Sequence, residues 1–224
     1  MDINIRFILV AFATITISLV VHEFAHAIVA DKLGDDTPRN AGRLTLNPFV
    51  IWQAHPVGSV VVPLISAAMG GLMAWAATPV NPAGVNRKWS IRQANFLISA
   101  AGPASNVILA LIGVGLVYAV FPFRGAEWAK PLIFGSQEAG VPGVLFVFVN
   151  VNIFLALFNL IPIAPLDGYA MLSSYAPSSW EPALQFLNQY GLIILLLFVM
   201  YGSHILGPIT SFFFQVAFAP LRPG

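Results

Sequence analysis

Cysteine is absent from all 224 residues, which removes disulfides and thiol chemistry of any kind. Charge is scarce: Asp, Glu, Lys and Arg make up 8% of the chain, against about 25% in an average soluble domain. With so little charge and 58% hydrophobic residues, most of the outer face must meet lipid. The formal net charge of +1 leaves no broad basic surface, so nucleic acid is not expected as a partner. No long stretch has the polar composition of a soluble appendage, and no fixed-period repeat is present. The expectation is a single membrane-embedded domain over residues 1–224, an all-α polytopic fold of about four to five transmembrane helices.

What is present divides into apolar runs and short polar connections. Residues 4–30 are apolar apart from Arg6 and the His22–His26 cluster, long enough to span as a tilted helix. The first 21 residues also resemble a secretory signal, but the apolar run continues to Ala30, and cleavage would remove the most unusual residues of the chain. From Asp31 to His55 the chain is polar and carries Gly34, Pro38, Gly42 and Pro48, the composition of loop or short extended structure. Residues 57–78 are apolar but broken by Pro63 and Gly70-Gly71, and a polar loop runs from Thr78 to Arg92. Residues 93–121 predict a long helix interrupted early by Gly102-Pro103, and residues 122–142 a loop rich in Pro and Gly. A further span over 143–161 ends at Pro162 and Pro165. After a polar stretch around Ser178–Gln189, residues 190–218 are apolar, with a break expected at Gly207-Pro208.

Charge assigns sides. Loop 31–56 holds Lys32, Arg39 and Arg43, and loop 79–92 holds Arg87, Lys88 and Arg92, so both belong on the cytoplasmic side. In loop 122–142, Arg124 and Lys130 are balanced by Glu127 and Glu138, which suits the outer side. If the two basic loops share a side, segment 57–78 cannot cross; it enters and returns, turning near Gly70-Gly71, where non-helical backbone must be buried in protein or line a cavity. The alternative is an ordinary crossing helix.

Three motifs stand out. In His22-Glu23-Phe24-Ala25-His26, helical positions i and i+4 share a face. Two imidazoles so placed can grip one Zn²⁺, with Glu23 as general base toward its water. Interfacial snorkelling is the bland alternative, yet three ionisable side chains within five residues of an apolar helix are expensive to bury. Catalytic zinc needs a third protein ligand and an open position. His55 and His204 each stand alone, whereas Asp167 is the only acid besides Glu23 in or just beyond an apolar span. It closes the stretch Asn159–Gly168, where Pro162 and Pro165 free the backbone from the helix ladder. The competing role for Asp167 is a cap on the next helix. In Gly102-Pro103-Ala104-Ser105-Asn106 the small residues permit close helix approach, and Asn106 offers an amide inside the membrane, for packing or for the site.

These motifs, in this order on apolar segments, resemble the site-2 protease family of intramembrane metalloproteases, from His22 to about Ser174. Gly42-Arg43-Leu44-Thr45-Leu46-Asn47-Pro48 and Pro79-Val80-Asn81-Pro82 are similar to the short bacterial and archaeal branch, which lacks PDZ or CBS modules. The resemblance implies zinc held by His22, His26 and Asp167, with Glu23 as base and the site in the cytoplasmic third of a prokaryotic plasma membrane. It also implies that segment 57–78 is a re-entrant element beside the site. In that branch an acidic residue follows the histidine at position 55; here Pro56 and Val57 follow, so His55 receives no role. The activity implied is hydrolysis of peptide bonds in transmembrane-helix substrates; in such a mechanism Asn106 is a candidate donor of a hydrogen bond to substrate or intermediate.

Two other readings use the same residues. A metalloprotease acting outside the bilayer would need a Glu as third ligand, and only Glu127, Glu138 and Glu181 remain, all expected in loops. A non-proteolytic zinc-binding or transport protein would have no clear use for Glu23 between the two histidines.

Overall fold

A computed structural model describes residues 5–69, 73–120, 141–201 and 203–218, with the side chains at 141, 142, 199–201 and 203–205 excepted. The described elements are helical, with no strand among them. Helix α1 (Ile5–Leu33) has 29 residues, about 43 Å at 1.5 Å per residue, longer than the roughly 30 Å hydrocarbon core. It stops at Gly34, whose φ of 105° needs glycine. The Gly34 and Asp35 amides then bond back to the carbonyls of Asp31 and Ala30, both at 3.0 Å. A β-carbon on Gly34 would also lie 2.6 Å from the Asn86 amide, so the loop after α1 is pressed against the later basic loop. The Asp35 carboxylate, fully buried, accepts from the Thr37 amide at 2.9 Å and the Asn81 amide at 2.5 Å. The two basic loops therefore meet at one end of the bundle, as the parity argument requires.

Short helices α2 (Thr37–Asn40) and α3 (Pro48–Ala54) follow, the second capped by Asn47, whose side chain accepts from the Phe49 amide. Segment 57–78 doubles back. A π-helical turn (Val57–Val61) runs into α4 (Val62–Ala68), and the chain returns through residues 73–81 without helical structure. The arms are tied where Trp75 N–H donates to Gly58 O at 2.9 Å and where His55 Nε2 donates to Ala77 O at 2.8 Å. Near the tip, Met73 N–H donates to Ser66 Oγ at 2.8 Å. A crossing helix cannot bring residues 55 and 77 together. The outgoing arm is helical and the returning arm is not. The proposed turn, Gly70-Gly71, lies outside the described residues, as does most of loop 122–142.

Helix α5 (Ile91–Val120) is continuous through Gly102-Pro103, where an interruption was expected. Proline removes one ladder bond, and packing on both sides keeps the helix on course. Helix α6 (Val141–Asn159) is followed by an irregular turn and by α7 (Asp167–Tyr175). α5 packs against α1, α6 and α7, making it the central helix. Asn95 of α5 pins α7 by donating to Ala170 O at 3.0 Å and Ser174 Oγ at 2.8 Å. The last two helices are α8 (Glu181–Tyr201) and α9 (Ser203–Ala217). Most of the polar stretch 178–189 thus lies in the first turns of α8, and Pro208, where a break was expected, lies inside α9. Three described helices are long and apolar enough to cross a membrane, and Gly143–Asn159 and Leu206–Ala217 are shorter apolar helices. The chain is an all-α membrane protein.

Candidate metal centre

On α1, His22 and His26 stand one turn apart, their rings at 82° and the centroids 4.7 Å apart. Their Nε2 atoms are 3.1 Å from each other. The first residue of α7 completes a triangle: Asp167 Oδ2 lies 3.2 Å from His22 Nε2, and Oδ1 lies 3.4 Å from His26 Nε2. Ligands at about 2.0–2.1 Å from a tetrahedral zinc are separated by about 3.3 Å; the Nε2–Nε2 distance and the two Nε2–carboxylate contacts, one to each oxygen, lie close to that spacing.

The hydrogen-bond pattern fits a cation more sharply than distance does. His26 Nδ1 lies 2.7 Å from Ile98 O, which can only accept, so that nitrogen carries the proton and Nε2 keeps its lone pair. For His22 the assignment travels through two amides. Asn152 Nδ2 donates to Phe148 O at 2.8 Å, which turns Asn152 Oδ1 toward Asn106 Nδ2 at 2.9 Å. Asn106 Oδ1 is thereby turned to accept from His22 Nδ1 at 2.6 Å. Both Nε2 lone pairs then face each other and a carboxylate, with Asp167 Oδ2 buried and lacking a hydrogen-bond partner. Three converging acceptors repel one another unless a cation lies between them. Among the described residues this is the one group of three His, Cys, Asp or Glu side chains placed to hold a metal ion.

α5 closes the centre from above. A β-carbon on Gly102 would fall 2.6 Å from His22 Nε2 and closer still to His26 Nε2, filling the cradle. The glycine is required here by the imidazoles beneath it. Gly168 is equally constrained, since a β-carbon there would fall 2.6 Å from Ile161 O. That contact presses the start of α7, and with it Asp167, onto the turn after α6. Asp167 is therefore both the opening residue of a helix and a member of the triangle; Leu166 occupies the cap position.

Glu23 is buried beside the histidines. Its Oε2 accepts from Thr78 Oγ1 at 2.7 Å, and its backbone carbonyl lies 3.2 Å from the same hydroxyl. Asn106, expected to reach substrate, is 0% exposed, its amide engaged by His22 and Asn152 and 3.5 Å from Ser18 O. His55 contacts Ala77 O away from the triangle. The His204 side chain, Glu127 and Glu138 lie outside the described residues. Glu181 opens α8 and accepts from Gln185 Nε2 at 3.2 Å. Sequence reasoning missed Asn152 and Thr78. Asn152, 0% exposed, carried a signal, being an amide within an apolar helix; Thr78, in a polar loop, carried none.

Comparison with known proteins gives the family. The sequence profile of Peptidase family M50 matches residues 10–200. "Putative zinc metalloprotease YwhC" of Bacillus subtilis is 37% identical over 202 residues, which is 88% of this chain and 84% of that protein. "Putative zinc metalloprotease Rip2" of Mycolicibacterium smegmatis is 30% identical over 185 residues, 82% of this chain but 63% of Rip2. "Putative zinc metalloprotease MJ0611" of Methanocaldococcus jannaschii is 24% identical over 202 residues, 89% of this chain and 85% of that protein. No solved structure matches. With the profile spanning both halves of the triangle and the helices that carry them, the chain belongs to Peptidase family M50 and is a metalloprotease built on membrane-spanning helices.

Proposed function

We propose that this protein is an intramembrane zinc endopeptidase that hydrolyses peptide bonds in or beside the transmembrane segments of other membrane proteins. The observation that carries the reading is the buried triangle of two Nε2 atoms and one carboxylate on apolar helices. His22, His26 and Asp167 would hold one Zn²⁺, which would supply a Lewis acid able to polarise a peptide carbonyl and acidify water. Glu23 takes a proton from the attacking water at Oε1, the oxygen that Thr78 leaves free, and returns it to the departing amide nitrogen. Asn106 and Asn152 hold His22 in the tautomer that presents Nε2, and Ile98 O does the same for His26. Asn106 thus acts through His22; its burial keeps it from substrate.

A helical substrate shields its peptide bonds and must unwind before it is cut. The returning arm supports a docking mode. Exposure alternates along it, with Trp75, Ala77 and Pro79 outward and Ala74, Ala76, Thr78 and Val80 turned toward the protein, a strand-like pattern. The Trp75 N–H and the Ala77 carbonyl are taken by Gly58 O and His55 Nε2. In an extended chain those of 74, 76 and 78 point to the opposite edge, and among the described residues they have no partner. An unwound substrate adds to that edge as a strand, beside Glu23. It arrives laterally past α8, which packs lightly on the core and touches the 160–166 turn where Gly191 backs onto Ala164. The meeting of the two basic loops supports a site facing the cytoplasm of a prokaryotic plasma membrane.

The test is Glu23→Gln in proteoliposomes with a single-span test substrate. The variant is expected to keep its zinc and to lose cleavage by at least about 100-fold, since an amide cannot serve as base. Cleavage at the wild-type rate would remove Glu23 from the mechanism; zinc-loaded wild type that cuts no membrane substrate would favour a non-proteolytic zinc protein.

A further inference from the structure

Thr78 touches the base, yet it belongs to the strand-like arm rather than to any helix that carries the metal centre. Its hydroxyl lies 2.7 Å from Glu23 Oε2 and 3.2 Å from Glu23 O. We infer that Thr78 is a positioning residue: its hydroxyl sets the Glu23 carboxyl in place and makes that placement depend on the strand where substrate docks. This rests on the proposed function above.

A hydroxyl suits this task because it has one proton and two lone pairs. Toward a carboxylate, Thr78 donates to Oε2. Once Glu23 holds a proton on Oε1, Oε2 becomes a carbonyl oxygen that still accepts from Thr78, so the same oxygens stay bonded in both states. An ammonium or guanidinium at this place would favour the anion and oppose the proton that the base must take. The threonine is also held stiffly. Its β-branched side chain has restricted χ1, and Pro79 confines the preceding residue to extended backbone.

Register supplies the coupling. In a strand a slip of one residue turns each side chain to the other face. Thr78 faces inward with Ala74, Ala76 and Val80. Those neighbours seat the arm along α1, with Ala74 and Ala76 packing near Leu19, Val20 and Ile51 and Val80 packing near Ala30, Leu33 and Ile98. Residue 78 alone on this face is level with Glu23, and its backbone belongs to the free edge. A substrate strand that straightens the arm therefore also straightens the contact that aims the base.

The experiment compares wild type with Thr78→Val, which keeps shape but loses the hydroxyl, and Thr78→Ser, which keeps it. Full-length protein in proteoliposomes is assayed for zinc content and for kcat and KM on the single-span test substrate. Thr78→Val is expected to lower kcat by about 10- to 100-fold with KM within about twofold and zinc unchanged; Thr78→Ser is expected to restore kcat to within about threefold. The Glu23 carboxylate stretch, isolated by infrared difference against Glu23→Gln, is expected to shift in Thr78→Val and return in Thr78→Ser. An unchanged band, a wild-type kcat in Thr78→Val, or equal loss in both variants overturns the inference. If wild type itself cuts nothing, the functional reading falls and the reaction role falls with it, while the infrared band still shows separately whether the contact holds.

Discussion

His22 owes its orientation to a relay of two amides that ends on the Phe148 carbonyl of α6. Each amide could be turned over at no covalent cost, so only the anchored end decides which atom faces the ring. Asn152→Leu removes that anchor while keeping volume. It is expected to weaken zinc binding by about 10–100-fold, the usual effect of losing a partner that orients a metal-bound histidine. Competition with a chromophoric chelator would measure this, and an unchanged affinity would mean that Asn106 holds its own orientation. The histidines and Asp167 were legible in sequence because ionisable groups in apolar runs need a reason, and a spacing of four on a helix supplies a shared face. Asn106 was visible as an intramembrane amide, but whether it faced substrate or a histidine depended on α6, which periodicity does not orient. Thr78 was invisible because its meaning lies wholly in what folds next to it.

Among elements, the doubled-back segment has the greatest consequence. Its return was legible from the two basic loops, since a crossing there would have split them between sides. Its form was not legible, because a short apolar run carries no sign of helix or strand, and the outgoing arm became helical. Gly102-Pro103 and Gly207-Pro208 misled in the same way: a proline costs one hydrogen bond, and helices that pack on neighbours continue through it. The arm is secured at its far end by Asp35, which bridges the Thr37 and Asn81 amides. Replacing it with alanine leaves two amide donors unpaired, a loss of about 1.5–3 kcal/mol for each bond to the charged group. Asp35→Ala is expected to raise hydrogen exchange in residues 73–86 and not in 143–159. Equal protection of 73–86 in both proteins would show that Asp35 does not hold the arm.

At the scale of the molecule, the centre is assembled from distant parts of the chain: ligands from α1 and α7, a roof from α5, an orienting amide from α6 and a contact to the base from the returning arm. None of these suffices alone, which is why single motifs hinted at the centre but only their convergence defined it. The absence of cysteine makes the topology directly testable, since any introduced thiol is the only one present. Arg39→Cys and Arg87→Cys, both at exposed positions, are expected to react with an impermeant maleimide only after cells are opened. Labelling of one from outside intact cells would place a crossing between them. The amide relay between α5 and α6 has a pharmacological corollary. A lipophilic compound wedged where Asn106 meets Asn152 would tilt an imidazole and disarm the enzyme without chelating anything, so that inhibitor selectivity could be sought in a buried pair of carboxamides.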